Sequence, residues 1–173
     1  MKKAISNILI FLLVAVVIAY AALFAMGFRP YIIISGSMEP TIHTGSLCFV
    51  DSKVPFEEVE KGDIIAFSTS LGDYVTHRAV EITDDAIATK GDANDVSDGF
   101  STTRDNYLGV TEFSVPYLGY AAKYMQQPVG MAMMGVVILA VIALGVIDSI
   151  EDKKKREEDA DVAAEAAQKT ETE

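Results

Sequence analysis

Two uninterrupted apolar runs of nineteen residues, Ile8–Met26 and Val129–Ile147, decide what this chain of 173 residues can fold into. At about 1.5 Å of rise per residue, a helix of that length covers about 30 Å, the thickness of a bilayer's hydrocarbon core. A soluble protein this small has too little interior to surround two such helices on every face, so both are expected to span. Lys2, Lys3 and Ala19-Tyr20-Ala21 also fit a cleaved secretory leader. The first run, however, exceeds the roughly 7–15 apolar residues of a leader's central region, which favours an uncleaved anchor.

Charge sets the topology. Lys2 and Lys3 precede the first run and Lys153-Lys154-Lys155-Arg156 follow the second, while residues 27–147 hold 7 basic against 15 acidic side chains. The positive-inside tendency puts residues 1–7 and the tail 148–173 in the cytoplasm, with the spans at 8–26 and 129–147. Residues 27–128 then form an extracytoplasmic domain. The net charge of −11 excludes a nucleic-acid partner, which calls for a basic footprint. Beyond Glu151 the tail is charged and then rich in Ala and Glu, so it is expected to be disordered or partly helical.

Between the spans, short β-prone runs alternate with turn residues: Tyr31–Ser35, Ser46–Asp51, Asp63–Thr69, Tyr74–Thr83, Ala86–Lys90 and Tyr107–Val115. Only Phe56–Glu60 offers a helical turn. Strands at this spacing predict a mainly β domain, an antiparallel sandwich or partly closed barrel. Cys48 is the only cysteine and lies in the apolar run Leu47-Cys48-Phe49-Val50, so it reads as a buried small hydrophobe. With His43 and His77 the only histidines, no metal-ligand spacing exists and no cofactor is implied.

Three segments carry polar residues that structure alone does not call for: Ser35-Gly36-Ser37-Met38-Glu39-Pro40, Thr76-His77-Arg78, and Gly91-Asp92-Ala93-Asn94-Asp95-Val96-Ser97-Asp98. Singly, each reads as a turn, a half-buried strand histidine or a solvated loop. Together, and in this order, they resemble the type I signal peptidases, most closely the archaeal and endoplasmic-reticulum branch. The resemblance covers about residues 31–119, with weaker echoes at Lys61–Ile65 and Val115–Gly119. Two loop positions depart from the family pattern: Gly45-Ser46 and Gly91-Asp92-Ala93-Asn94 stand where Gly-Asp and Gly-Asp-Asn-Asn are usual.

The resemblance implies a serine–histidine pair, since bacterial relatives carry lysine where this branch carries histidine. It makes Ser37 the nucleophile, His77 the general base, and Ser35 a donor to the oxyanion beside the Ser37 N–H. These residue types suit the reaction. A serine hydroxyl attacks a peptide carbonyl only when a base takes its proton, and an imidazole with an ordinary pKa of about 6.5 is neutral and available for that. A carboxylate on the other ring nitrogen fixes the tautomer. Asp98 and Asp92 compete for that role; the family pattern gives it to Asp98 and leaves Asp92 as a supporting acid, with Asp95 an unmatched third carboxylate.

Ser37 lies eleven positions beyond Met26, so the nucleophile lies at most about 40 Å from the bilayer, and its substrate should be membrane-tethered as well. Signal peptides of exported preproteins fit, because their cleavage site carries small residues just after an apolar stretch. Such a protease would take its substrate as an added edge strand, with Tyr31, Ile34, Met38 and Phe49 lining shallow pockets. Expected partners are preprotein signal peptides, the lipid bilayer and the protein-export channel. Two other readings remain: a non-catalytic membrane-anchored β-rich binding domain, and a peptidase dedicated to a few secreted fibre or pilin-like precursors.

Overall fold

The computed structural model describes residues 2–171. They form two compact units, one made of residues up to Ile18 and from Met131, the other of Ala19–Gly130.

The first unit is helical. Helix α1 (Lys2–Met26) and helix α3 (Pro128–Glu171) contribute most of their length to it. Both contain stretches long and apolar enough to cross a membrane, Ser6–Met26 and Pro128–Glu158. A Cβ on Gly145 would come within 3.2 Å of Ile10 Cδ1, so the small residue leaves room for that side chain of α1 against α3. Pro128 opens α3, where its missing N–H costs no hydrogen bond. The helix runs on through the charged tail to Glu171.

The second unit is built on one antiparallel sheet of seven strands: β1 (Phe28–Ile32), β2 (Leu47–Asp51), β3 (Ile64–Ser68), β4 (Tyr74–Ile82), β5 (Ile87–Lys90), β6 (Ser101–Thr102) and β7 (Tyr107–Val115). The spatial order is β1-β2-β7-β3-β4-β5-β6, so the last long strand inserts between the second and third. The result is a half-barrel sheet. A single 3-10 turn, Phe56–Glu58, and a short helix α2 (Leu118–Met125), which packs on β1 and β2, complete the unit.

Alternation explains which side chains face inward. Ile65 and Phe67 of β3 pair with His77 and Val75 of β4, and these side chains share a face. They join Phe56, Val59, Ala79 and Ile87 in the larger core cluster or pack beside it. A second cluster, Met38, Ile42 and Cys48 with Ile33 and Ile64, lies beneath the loop that follows β1. Cys48 is buried, and burial pushes its thiol up to about 11, so it packs as a hydrophobe.

The junction between α1 and the sheet is tightly made. Gly27 takes a left-handed conformation (φ +105°) to end the helix, and a Cβ there would lie 2.7 Å from Lys53 Cγ. The Arg29 guanidinium donates to the Phe24 carbonyl at 3.0 Å and Lys53 Nζ to the Ala25 carbonyl at 3.1 Å. Arg29 is a second donor to the Phe24 carbonyl, which also accepts the Gly27 N–H at 3.1 Å, and both cations sit at the negative end of the helix.

Candidate active site

The Ser35–Pro40 segment lies on the loop between β1 and β2, which packing holds rather than a ladder. Met38 is fully buried, with Ile42 and Cys48, and anchors the chain directly after Ser37. Backbone bonds from Glu39 N–H to Gly36 O (3.0 Å) and from Ile42 N–H to Met38 O (2.9 Å) turn the chain. The Glu39 carboxylate accepts the Thr44 N–H at 3.0 Å and meets His43 Nδ1 at 2.5 Å. The Thr44 amide first, and then His43, hold the Glu39 carboxyl below its ordinary range.

The acid box crosses directly beneath this loop. Ala93 N–H donates to the Ser37 carbonyl at 2.9 Å, and a Cβ on Gly91 would lie 2.6 Å from that same oxygen. Only a residue without a side chain lets the two segments approach so closely. One strand over, His77 occupies a core-facing position of β4 and is 8% exposed.

These elements bring three predicted residues into one line. His77 Nε2 is 3.0 Å from Ser37 Oγ, and His77 Nδ1 is 2.7 Å from Asp98 Oδ2. With Nδ1–H donating to the carboxylate, Nε2 is left to accept the serine proton. Ser35 Oγ stands 3.3 Å from Ser37 Oγ. Asp98 lies on the loop between β5 and β6; its N–H donates to Thr89 O at 2.8 Å, and Thr89 Oγ1 donates to Asp98 Oδ2 at 2.5 Å.

The competing carboxylates point elsewhere. Asp92 is gripped by Arg78, Nε to Oδ1 at 2.8 Å and Nη2 to Oδ2 at 2.6 Å, and also accepts from Thr41 Oγ1 at 2.5 Å. The Arg78 guanidinium is the main reason that the Asp92 carboxyl titrates below its ordinary range. Asp92 therefore ties β4 to the acid box and the nucleophile loop. Asp95 is exposed.

Beside Ser37 runs a cleft of about 280 Å³, walled by Ile32–Ser35 on one side and Tyr74–His77 on the other, with Met38 contributing. It opens into a broader groove of about 720 Å³ that shares Ile32, Ile34, Ser35, Tyr74 and Val75, and adds Tyr31, Asp73 and Gln126. The Tyr31 and Tyr74 rings meet there at 5.3 Å, and burial raises the Tyr31 phenol above its ordinary value. One wall is the chain that continues from the end of edge strand β1, and the other is the start of β4. β1 ends the sheet, and the pairing of β4 with β5 begins only at Arg78, which leaves the Tyr74–His77 stretch bonded to β3 alone.

Of the four expected pocket residues, Tyr31, Ile34 and Met38 line these cavities, and Ile34 is 75% exposed. Phe49 lines neither of these two cavities. It follows buried Cys48 on β2 and so faces the other side of the sheet, stacked on Phe113 with ring centroids 4.6 Å apart. Sequence alone assigns Thr41, Arg78 and Thr89 no individual role. A threonine at 89, an inward position two residues after Ile87, was the signal of a buried hydroxyl that requires a partner.

Residues 5–108 match the family described as Signal peptidase, peptidase S26. The Signal peptidase I W of Bacillus subtilis (strain 168) is 38% identical over 89 residues, covering 49% of this chain and 47% of that protein. The Signal peptidase complex catalytic subunit SEC11 of Colletotrichum graminicola (strain M1.001 / M2 / FGSC 10212) is 26% identical over 125 residues, covering 64% of this chain and 73% of its own. The match thus spans about half the length of the Bacillus relative.

Proposed function

Because the chain belongs to the signal peptidase family, peptidase S26, we propose that it is a membrane-bound serine endopeptidase that removes N-terminal signal peptides from exported preproteins. The observation that carries this reading is the continuous relay from Ser37 Oγ through His77 to Asp98, with links of 3.0 and 2.7 Å. Ser37 Oγ attacks the scissile carbonyl as its proton passes to His77 Nε2. Asp98 holds the ring and steadies the imidazolium. The Ser37 N–H and the Ser35 hydroxyl stabilise the oxyanion, an interaction worth about 2.7–4 kcal/mol of barrier per donor. His77 then protonates the leaving amine, and water, activated by the same imidazole, hydrolyses the acyl-enzyme.

The substrate enters as an extended strand between the free edges of β1 and β4. Tyr31, Ile34 and Met38 flank its small side chains, and the wider groove past Ser35 takes the residues upstream that lead back to the bilayer. Residues 8–26 and 129–147 anchor the enzyme in the membrane, with 27–128 outside, both termini in the cytoplasm and the export channel nearby to deliver precursors. A non-catalytic binding domain has no use for a buried imidazole aligned between a hydroxyl and a carboxylate.

The test is cleavage of a purified preprotein by the full chain in detergent. The parent should cut at the small-residue site, and Ser37→Ala and His77→Ala should each lose about a thousandfold or more in rate. Undiminished cutting by Ser37→Ala would reject the serine mechanism.

A further inference from the structure

Thr89 is a fully buried residue of β5, and the proposed reaction leaves it without a part. Its surroundings give it one. Asp98 lies on a loop outside any regular element, and a carboxylate on such a loop points where its hydrogen bonds hold it. Thr89 holds Asp98 twice: its carbonyl accepts the Asp98 backbone N–H at 2.8 Å, and its hydroxyl donates to the carboxylate at Oδ2 at 2.5 Å. Oδ2 is the same oxygen that faces His77 Nδ1 at 2.7 Å.

We propose that Thr89 is a positioning residue for the acyl-transfer reaction, fixing Asp98 Oδ2 on the His77 ring from a strand of the sheet. The inference rests on the serine–histidine reading above. A strand position is more rigid than a loop, and β5 pairs with β4 with Thr89 opposite Ala79, two residues from His77. The hydroxyl therefore transfers the sheet's geometry to a carboxylate that the loop alone would not hold in register. It leaves Oδ2 an acceptor for the imidazole, because a threonine hydroxyl has one proton to give.

The discriminating experiment measures kcat and KM for preprotein cleavage by the full chain in detergent. It compares Thr89→Val, which keeps the shape and removes the hydroxyl, with Thr89→Ser, which keeps the hydroxyl. Thr89→Val should lower kcat by about ten- to hundredfold, the loss of one hydrogen bond to a charged group, with KM within about twofold. Thr89→Ser should retain most of the parental kcat.

The same Thr89→Val change should cost less than about twofold when made in an Asp98→Ala background, because its effect passes through that carboxylate. A parental kcat in Thr89→Val, an equal fall in Thr89→Ser, or an undiminished penalty in the Asp98→Ala background would each overturn the proposal. Thr89→Ala serves the same comparison if the valine variant does not fold. Failure of the underlying reading looks different, since Ser37→Ala would then keep cutting whatever stands at position 89.

Discussion

The Arg78 guanidinium grips Asp92 with two nitrogens, at 2.8 and 2.6 Å, one residue along β4 from His77. The pair and Thr41 together join the strand of the base, the acid box and the loop of the nucleophile. Asp92 is accordingly a clamp between segments, while Asp98 meets the imidazole. The two carboxylates should fail in different ways when replaced.

Asp98→Ala is expected to lower kcat about a thousandfold or more, as loss of the orienting acid does in serine proteases. Asp95→Ala should stay within about twofold of parental turnover, since Asp95 is exposed. Steady-state cleavage of one preprotein by both variants checks this. Equal losses would remove Asp98 from its role.

Asp92→Asn should instead act on stability, and its effect should depend on pH. The Arg78 guanidinium holds the Asp92 carboxyl below its ordinary range. The carboxylate's contribution to stability is therefore complete above the unfolded pKa of about 3.9, and is lost as pH falls through the lower folded value. The difference in thermal midpoint between parent and Asp92→Asn should be constant from about pH 7 to 5 and shrink below about pH 4. A difference that stays constant down to pH 3 would show that the ion pair is not its source.

Gly91→Ala tests the crossing of the two boxes. The added methyl would sit 2.6 Å from the Ser37 carbonyl oxygen and 2.7 Å from Asn94 Nδ2, so the nucleophile loop must move. Overpacking of this kind costs about 1–3 kcal/mol in stability, and turnover should fall together with it. Urea unfolding followed beside the cleavage assay gives both numbers. A neutral substitution would mean the loops separate freely.

Much of this was legible in the sequence because simple periodicities carry it. Nineteen apolar residues in a row need no tertiary context, and β7 runs over the same Tyr107–Val115 that its alternation marks. β1 begins three residues earlier than expected because Arg29 and Pro30 hide its pattern, yet pairing with β2 extends it to Phe28. β6 has only two residues and α2 eight, too few for a period to declare itself. Phe49 is hard to place from sequence because β2 is apolar on both faces, so composition does not reveal which face meets the cleft. The order in which β7 inserts between β2 and β3, and the separate partners of Asp92 and Asp98, depend on contacts far apart along the chain.

The unpaired edges of β1 and β4 lead to a prediction about the substrate's backbone. A strand docked between them must present N–H and C=O groups to both walls, and successive residues of an extended chain direct these groups to opposite sides. Methylating one backbone nitrogen in a precursor peptide removes a donor without altering any side chain. Scanned over the residues upstream of the scissile bond, N-methylation should raise KM about five- to tenfold per lost hydrogen bond. The strongest effects should fall where the methyl meets Ile32–Ile34 or Tyr74–Thr76. Residues beyond the stretch flanked by both edges should tolerate the change, because the broader groove there has Tyr31, Asp73 and Gln126 side chains along its wall. A flat response across the scan would mean that the precursor is held by its side chains alone, and the strand-addition mode of binding would have to be abandoned.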